Sequence, residues 1–233
     1  MIWKINIFTL FPELFPGPLG YSVIGNGLKK ALWSLQVNNI RDFALDKHMT
    51  VDDTPYGGGS GMLIKPDVLA NAIRQKGDAT LPIMYLSPRG KVFNQDMARD
   101  FTRHYQGLNI ICGRFEGIDE RVIEKFNILE ISIGDYILSS GDLAAYIIID
   151  ACVRNIEGVL NDYNSLNEES FGNSAEYKNL LEYPQYTKPY NFEDILVPSV
   201  LMSGDHKKIK DWRLEKAIEK TIQVRPDLLK KSD

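Results

Sequence analysis

Three apolar runs of strand length, Pro82-Ile83-Met84-Tyr85-Leu86, Leu108 to Cys112 and Ile128 to Ile133, each pass directly into a loop of glycine, serine and charged residues. Helix-length stretches separate them: 66–76 opening on Pro66, 94–105 with Met97, Ala98 and Phe101 on one stripe, 118–126, and an apolar stretch from Leu143 to Ile156. Strands that alternate with helices in this way pair side by side and in parallel, so the chain reads as α/β with helices on both faces of a parallel sheet. A first strand through Ile5, Ile7, Phe8 and Thr9 ends at Pro12. Residues 13–35 carry a helical pattern in which Gly25-Asn26-Gly27 marks a turn or a helix start, and Gln36 to Ile40 is a short strand.

In open α/β sheets ligands bind beyond the carboxyl ends of the strands. The loops after Leu86, Cys112 and Ile133 are therefore the candidate ligand site. Gly113-Arg114-Phe115-Glu116-Gly117-Ile118-Asp119-Glu120-Arg121 puts glycines where a strand meets a helix, allowing a ligand to approach the backbone. Ile133-Gly134-Asp135-Tyr136-Ile137-Leu138-Ser139-Ser140-Gly141-Asp142 mixes apolar side chains with backbone donors, which suits a nucleoside. A long polar loop from Arg41 to Met62 contains Asp42, Asp46, His48, Asp52 and Asp53 ahead of Tyr56-Gly57-Gly58-Gly59-Ser60-Gly61. It lacks the Gly-Lys-Ser/Thr of a Walker loop, and its acidic spacing fits neither a calcium loop nor a zinc motif, so no metal site is assigned. Arg154 follows the long apolar helix, where it either meets an oxyanion or reaches back to solvent.

Composition narrows the class. The chain has 233 residues, 44% hydrophobic and 25% charged, with a net charge of −4. This fits a folded globular protein and excludes a strongly basic nucleic-acid coat. Cys112 and Cys152 are too few for a disulfide framework and read as reduced thiols of the cytosol. No apolar stretch is long enough to span a bilayer, so no membrane partner is expected. Residues 1–160 form the main domain. Residues 161–175 are polar and aperiodic, an expected mobile linker. Residues 176–233 form a small helical domain whose lysines, Lys207 among them, and Arg213 beside Trp212 are candidates for phosphate contact.

These motifs, in this order, resemble the bacterial tRNA (guanine-N1)-methyltransferase family of TrmD type, a branch of the SPOUT methyltransferases. The resemblance spans Phe8-Thr9-Leu10-Phe11-Pro12-Glu13, Thr50 to Gly59, Tyr85-Leu86-Ser87-Pro88, Cys112 to Arg121, Ser132 to Tyr136, Pro184-Gln185-Tyr186-Thr187, Leu201 to His206 and Trp212-Arg213. It implies S-adenosylmethionine as methyl donor and transfer to N1 of the guanosine at tRNA position 37, 3′ of the anticodon. It also implies a trefoil-knotted donor domain and a homodimer with a composite active site that grips the tRNA anticodon stem-loop, with magnesium supporting the reaction. The implied donor site is Tyr85, Leu86, Ser87, Pro88, Gly113, Glu116, Ile133, Gly134, Asp135, Tyr136, Ile137 and Leu138, with Ser140 and Gly141. The implied tRNA and guanine contacts are His48, Asp52, Tyr56, Gly57, Gly58, Gly59, Lys207 and Arg213.

The family's catalytic arginine maps onto Arg154 and its general-base aspartate onto Glu169, within Asn167-Glu168-Glu169-Ser170-Phe171. A glutamate there is one methylene longer, with a basicity within about half a pKa unit of aspartate. Ser140 stands where glycine is usual. Two rival readings are a SPOUT methyltransferase of another specificity, and a module that binds tRNA and S-adenosylmethionine with weak or no turnover because Glu169 replaces the aspartate.

Overall fold

The structure is a computed structural model that describes residues 1–230. The chain divides into two compact units, Met1–Asn161 and a second beginning at Asp162. The first unit runs β1 (Trp3–Thr9), α1 (Ser22–Lys29), β2 (Trp33–Asn39), β3 (Asp52–Asp53), β4 (Leu63–Ile64), α2 (Pro66–Lys76), β5 (Ile83–Val92), α3 (Gln95–His104), β6 (Gly107–Ile111), α4 (Glu120–Phe126), β7 (Leu129–Ser132) and α5 (Gly141–Val153). Five strands form a sheet in the order β2-β1-β6-β5-β7, every pair parallel. The α/β class expected from the sequence is what the structure has.

Apolar side chains fill both faces of this sheet. Ile5, Ile7, Leu108, Ile110 and Met84 pack with α1, α3 and α5 on one side. Phe8, Ile111 and Tyr85 pack with α2 and α4 on the other. Central strands buried on both faces need no polar alternation, which is why β6 is apolar almost throughout. The exceptions satisfy one another: Asn38 Nδ2 donates to Asn6 Oδ1 at 2.6 Å and Asn6 Nδ2 to Asn109 Oδ1 at 2.9 Å. Helix starts follow capping chemistry, since the side chains of Asn94, Asp119 and Ser140 accept backbone N–H groups at the heads of α3, α4 and α5.

Four expectations are corrected. Only Ser22–Lys29 of residues 13–35 is α-helical; two 3-10 turns, Pro12–Leu14 and Gly17–Gly20, precede it. Pro12, Pro16 and Pro18 remove backbone donors and keep that run from becoming one helix. β2 begins at Trp33, whose fully buried indole draws the strand start forward. Gly25 and Gly27 lie inside α1 rather than at a turn: a Cβ on Gly25 would stand 2.2 Å from the Gly20 carbonyl, and one on Gly27 3.1 Å from Val159. Their absence of side chain serves close packing. Finally, β5 does not stop at Leu86. Leu86 and Lys91 both pair with Ile131, so Ser87 to Gly90 is a bulge within the strand.

The second unit carries a 3-10 turn at Tyr163–Asn167, a two-residue hairpin of β8 (Asn191–Phe192) and β9 (Ile195–Leu196), and α6 (His206–Val224) capped by Asp205. Tyr177, Leu180, Tyr183 and Ala217 form its core. The stretch expected as a linker is bonded into this unit: Phe171 N–H donates to the Leu180 carbonyl at 2.8 Å and Asn173 N–H to the Leu166 carbonyl at 2.7 Å.

Candidate active site

A cleft of about 260 Å³ opens where three strands end. Its walls are the β5 bulge, the loop after β6, the loop after β7 and the first turn of α5. Tyr85, Leu86, Ser87, Pro88, Gly113, Glu116, Ile133, Gly134, Tyr136, Ile137, Leu138, Ser140 and Gly141 all line it. Asp135 of the expected donor set is exposed and outside the lining. Arg89, Arg114, Phe115, Gly117 and Ser139 line it as well. Arg114, Phe115, Gly117 and Ser139 belong to the loops marked as candidate ligand sites but not to the implied donor set, and Gly117, at φ +121°, sits in the same glycine-rich turn as Gly113.

Glycine is required at these walls by what lies against it. A Cβ on Gly113 would come within 2.8 Å of the Tyr85 ring, and one on Gly117 within 2.8 Å of its hydroxyl. A Cβ on Gly141 would fall 2.7 Å from the Gly113 nitrogen. The two loops are joined there, Gly141 N–H donating to the Gly113 carbonyl at 2.9 Å. The loop after β6 is fixed on its other side by Glu116 N–H to the Met62 carbonyl and Ile64 N–H to the Gly117 carbonyl, both 2.9 Å. Burial, and then the nearby Glu130 carboxylate, push the Tyr85 phenol up to about 12, so it stays neutral and presents a hydroxyl. Ser140, the departure from glycine, caps α5: its Oγ accepts Asp142 N–H at 3.3 Å. Backbone groups and apolar side chains, with Arg89, Arg114 and Glu116 among them, make a wall that fits an adenosine-bearing donor.

Arg154 caps the carboxyl end of α5 and is half-buried, its N–H bonded to the Asp150 carbonyl. One turn earlier, burial raises the Asp150 carboxyl while the charge of Arg154 pulls it back down. Glu169 belongs to the second unit and is half-buried. Its neighbour Glu168 is committed elsewhere, its Oε2 accepting from Tyr183 Oη at 3.1 Å and Arg213 Nη1 at 3.4 Å.

Arg213 is accordingly engaged within its own unit through Nη1. It is half-buried with its guanidinium 4.9 Å from the Tyr183 ring centroid. Lys207, by contrast, is exposed. Gly57, Gly58 and Gly59 take φ of +88°, +78° and +124° with open space around them. Tyr56 beside them is 98% exposed, His48 is exposed, and Asp52 pairs with Ile64 between β3 and β4. Among the described residues no three His, Cys, Asp or Glu side chains gather as metal ligands. No helix is long and apolar enough to cross a membrane, again among the described residues.

The comparisons with known proteins join this geometry to a family. A family model for tRNA (Guanine-1)-methyltransferase TrmD matches residues 3–231. Three relatives carry the name tRNA (guanine-N(1)-)-methyltransferase. One from Anaplasma marginale (strain St. Maries) is 52% identical over 227 residues, covering 97% of this chain and 94% of the relative. One from Pelagibacter ubique (strain HTCC1062) is 49% identical, covering 99% and 98%. One from Wolbachia pipientis subsp. Culex pipiens (strain wPip) is 48% identical over 235 residues, covering both chains fully. With near-complete coverage in both directions and a cleft where the shared motifs meet, the chain belongs to the TrmD family of tRNA (guanine-1)-methyltransferases.

Proposed function

We propose that the chain is an S-adenosylmethionine-dependent tRNA methyltransferase that acts on N1 of the guanosine at position 37. The observation that carries this reading is the convergence of the three strand-end loops on one glycine-walled cleft, in a chain that matches the family along its length. The donor supplies an electrophilic methyl when bound. The cleft's backbone carbonyls and N–H groups hold its adenosine, and the neutral Tyr85 hydroxyl closes one wall.

Guanine N1 carries a proton, so its lone pair is free only after deprotonation, and negative charge then gathers on O6. Glu169 is the general base and Arg154 the cation at O6. The engagement of Glu168 Oε2 by Tyr183 and Arg213 gives that carboxylate a role within its own unit and supports its neighbour Glu169, the position the family pattern points to, as the base. The family architecture brings these groups from the subunit opposite the one whose cleft holds the donor, which makes the homodimer the active species, with a trefoil knot around the donor. The exposed glycine loop with Tyr56, and Lys207 on α6, serve the anticodon stem-loop, the lysine as a phosphate contact. The described residues offer no ligand cluster for magnesium, and no step is drawn through it. The cytosol, where tRNA is processed, is the site of action.

The test is labelled-methyl incorporation from S-adenosylmethionine into two unmodified transcripts, one with guanosine at position 37 and one with adenosine there. Incorporation into the first alone, mapped to N1, is the expected result. Equal incorporation, or methyl at another atom, overturns the assignment.

A further inference from the structure

Asp142 is fully buried at the second position of α5, yet it does not line the cleft. Its Oδ1 accepts the Thr9 hydroxyl at 2.6 Å, and Thr9 Oγ1 in turn accepts Phe11 N–H at 3.0 Å. Its Oδ2 makes no conventional hydrogen bond. What stands before it is the Nε of Arg114, 3.8 Å away, a second buried atom with no hydrogen-bond partner. The carboxylate's other neighbour is the Cys112 thiol, which burial, and then Asp142 itself, keep protonated.

Arg114 carries this anchor into the cleft. Its Nη1 donates to the Ser139 carbonyl at 3.3 Å, and its guanidinium lies 4.2 Å from the Phe11 ring centroid. One arginine thereby spans the loop after β6, the loop after β7 and the end of β1. A buried carboxylate is retained only with a partner, and a planar guanidinium is the side chain able to answer a carboxylate and a carbonyl at once. The Asp142–Arg114 pair is also a continuous path from Thr9, at the end of β1, to Ser139 in the cleft wall.

We propose that Asp142 is a positioning residue for methyl-donor binding. Held by Thr9, it orients Arg114, and Arg114 fixes the Ser139 carbonyl and with it the wall formed by the loop after β7. This rests on the reading of the cleft as the donor site.

The test is a double-mutant cycle on the affinity of the full-length protein for S-adenosylhomocysteine, using Asp142→Asn, Arg114→Gln and the double variant, with KM and kcat measured alongside. Each single change is expected to weaken binding about tenfold, within the range of coupling energies for side chains in one network, and the double variant to be no weaker than either. The donor KM is expected to rise by more than kcat falls. Additive losses, or unchanged affinity in a folded Asp142→Asn protein, overturn the proposal. Thr9→Val, which removes one bond to the carboxylate, covers the case in which Asp142→Asn does not fold. It is expected to weaken binding by about threefold, and unchanged affinity there overturns the proposal equally. Wild-type protein that fails to bind S-adenosylhomocysteine overturns the donor-site reading itself, an outcome distinct from normal wild-type binding with unresponsive variants.

Discussion

The Tyr183 hydroxyl donates to Glu168 Oε2 at 3.1 Å, and Arg213 lies over the Tyr183 ring with its Nη1 on the same carboxylate oxygen. The result is a bracket: Glu168 holds its own segment against the core of the second unit, and Glu169 follows it in the chain. On the proposed mechanism the two adjacent carboxylates do different work.

Replacing each carboxylate by its amide separates those roles. Glu169→Gln is expected to lower the single-turnover methylation rate by about 10²–10⁴, the usual contribution of a general base. Glu168→Gln keeps an oxygen acceptor for Tyr183 and Arg213 and is expected to cost less than about tenfold. Equal rates for Glu169→Gln and wild type would remove Glu169 from the mechanism.

The salt dependence of tRNA binding distinguishes the two basic residues of α6. Lys207→Ala is expected to reduce the slope of log affinity against log salt by about 0.7–0.9, as loss of one phosphate contact does. Arg213→Ala is expected to leave that slope in place while lowering the unfolding midpoint, because its charge faces Glu168 and its plane faces Tyr183.

Gly25→Ala sets two effects against each other. Alanine gains about 1 kcal/mol over glycine in an exposed helix interior. Here its methyl would stand 2.2 Å from the Gly20 backbone, which cannot swing aside as a side chain would. The clash wins, and urea unfolding is expected to show a net loss of about 2 kcal/mol.

Alkaline pH destabilises the fold through groups kept neutral by burial. Cys112 and Cys152 are raised above the ordinary 9.0, and Tyr85 and Tyr177 are pushed up from 10.0 to about 12. Below about pH 9 both folded and unfolded chains keep these protons, and stability does not depend on them. Above it the unfolded chain releases protons that the folded chain retains, so stability falls, by about 1.4 kcal/mol per pH unit for each group past its unfolded pKa. Urea midpoints between pH 8 and 11 should decline steadily, and less steeply in Cys152→Ala.

What the sequence made legible is what local pattern governs. The apolar runs of β5, β6 and β7 announced the sheet, and their glycine and serine endings announced the cleft. What it hid depends on partners far along the chain. Arg213 reads as a surface cation until Glu168, 45 positions away, is seen beside it. Asp142 reads as the tail of a glycine-serine motif until Thr9, 133 positions earlier, is found on its carboxylate. The helical reading of 13–35 failed because its apolar spacing is periodic while its prolines veto the backbone, and the backbone constraint is the stronger.

The strand order also has a consequence for biosynthesis. β6 lies between β1 and β5, so both of those strands wait for Gly107–Ile111 before their inner edges are covered. A nascent chain emerging from the ribosome can pair β1 only with β2 until roughly half the protein has been made, leaving open apolar edges of the kind chaperones guard. For this fold the vulnerable interval is set by translation speed across the stretch from β2 to β6, and slowing the ribosome there should cost more folded protein than slowing it anywhere after β7.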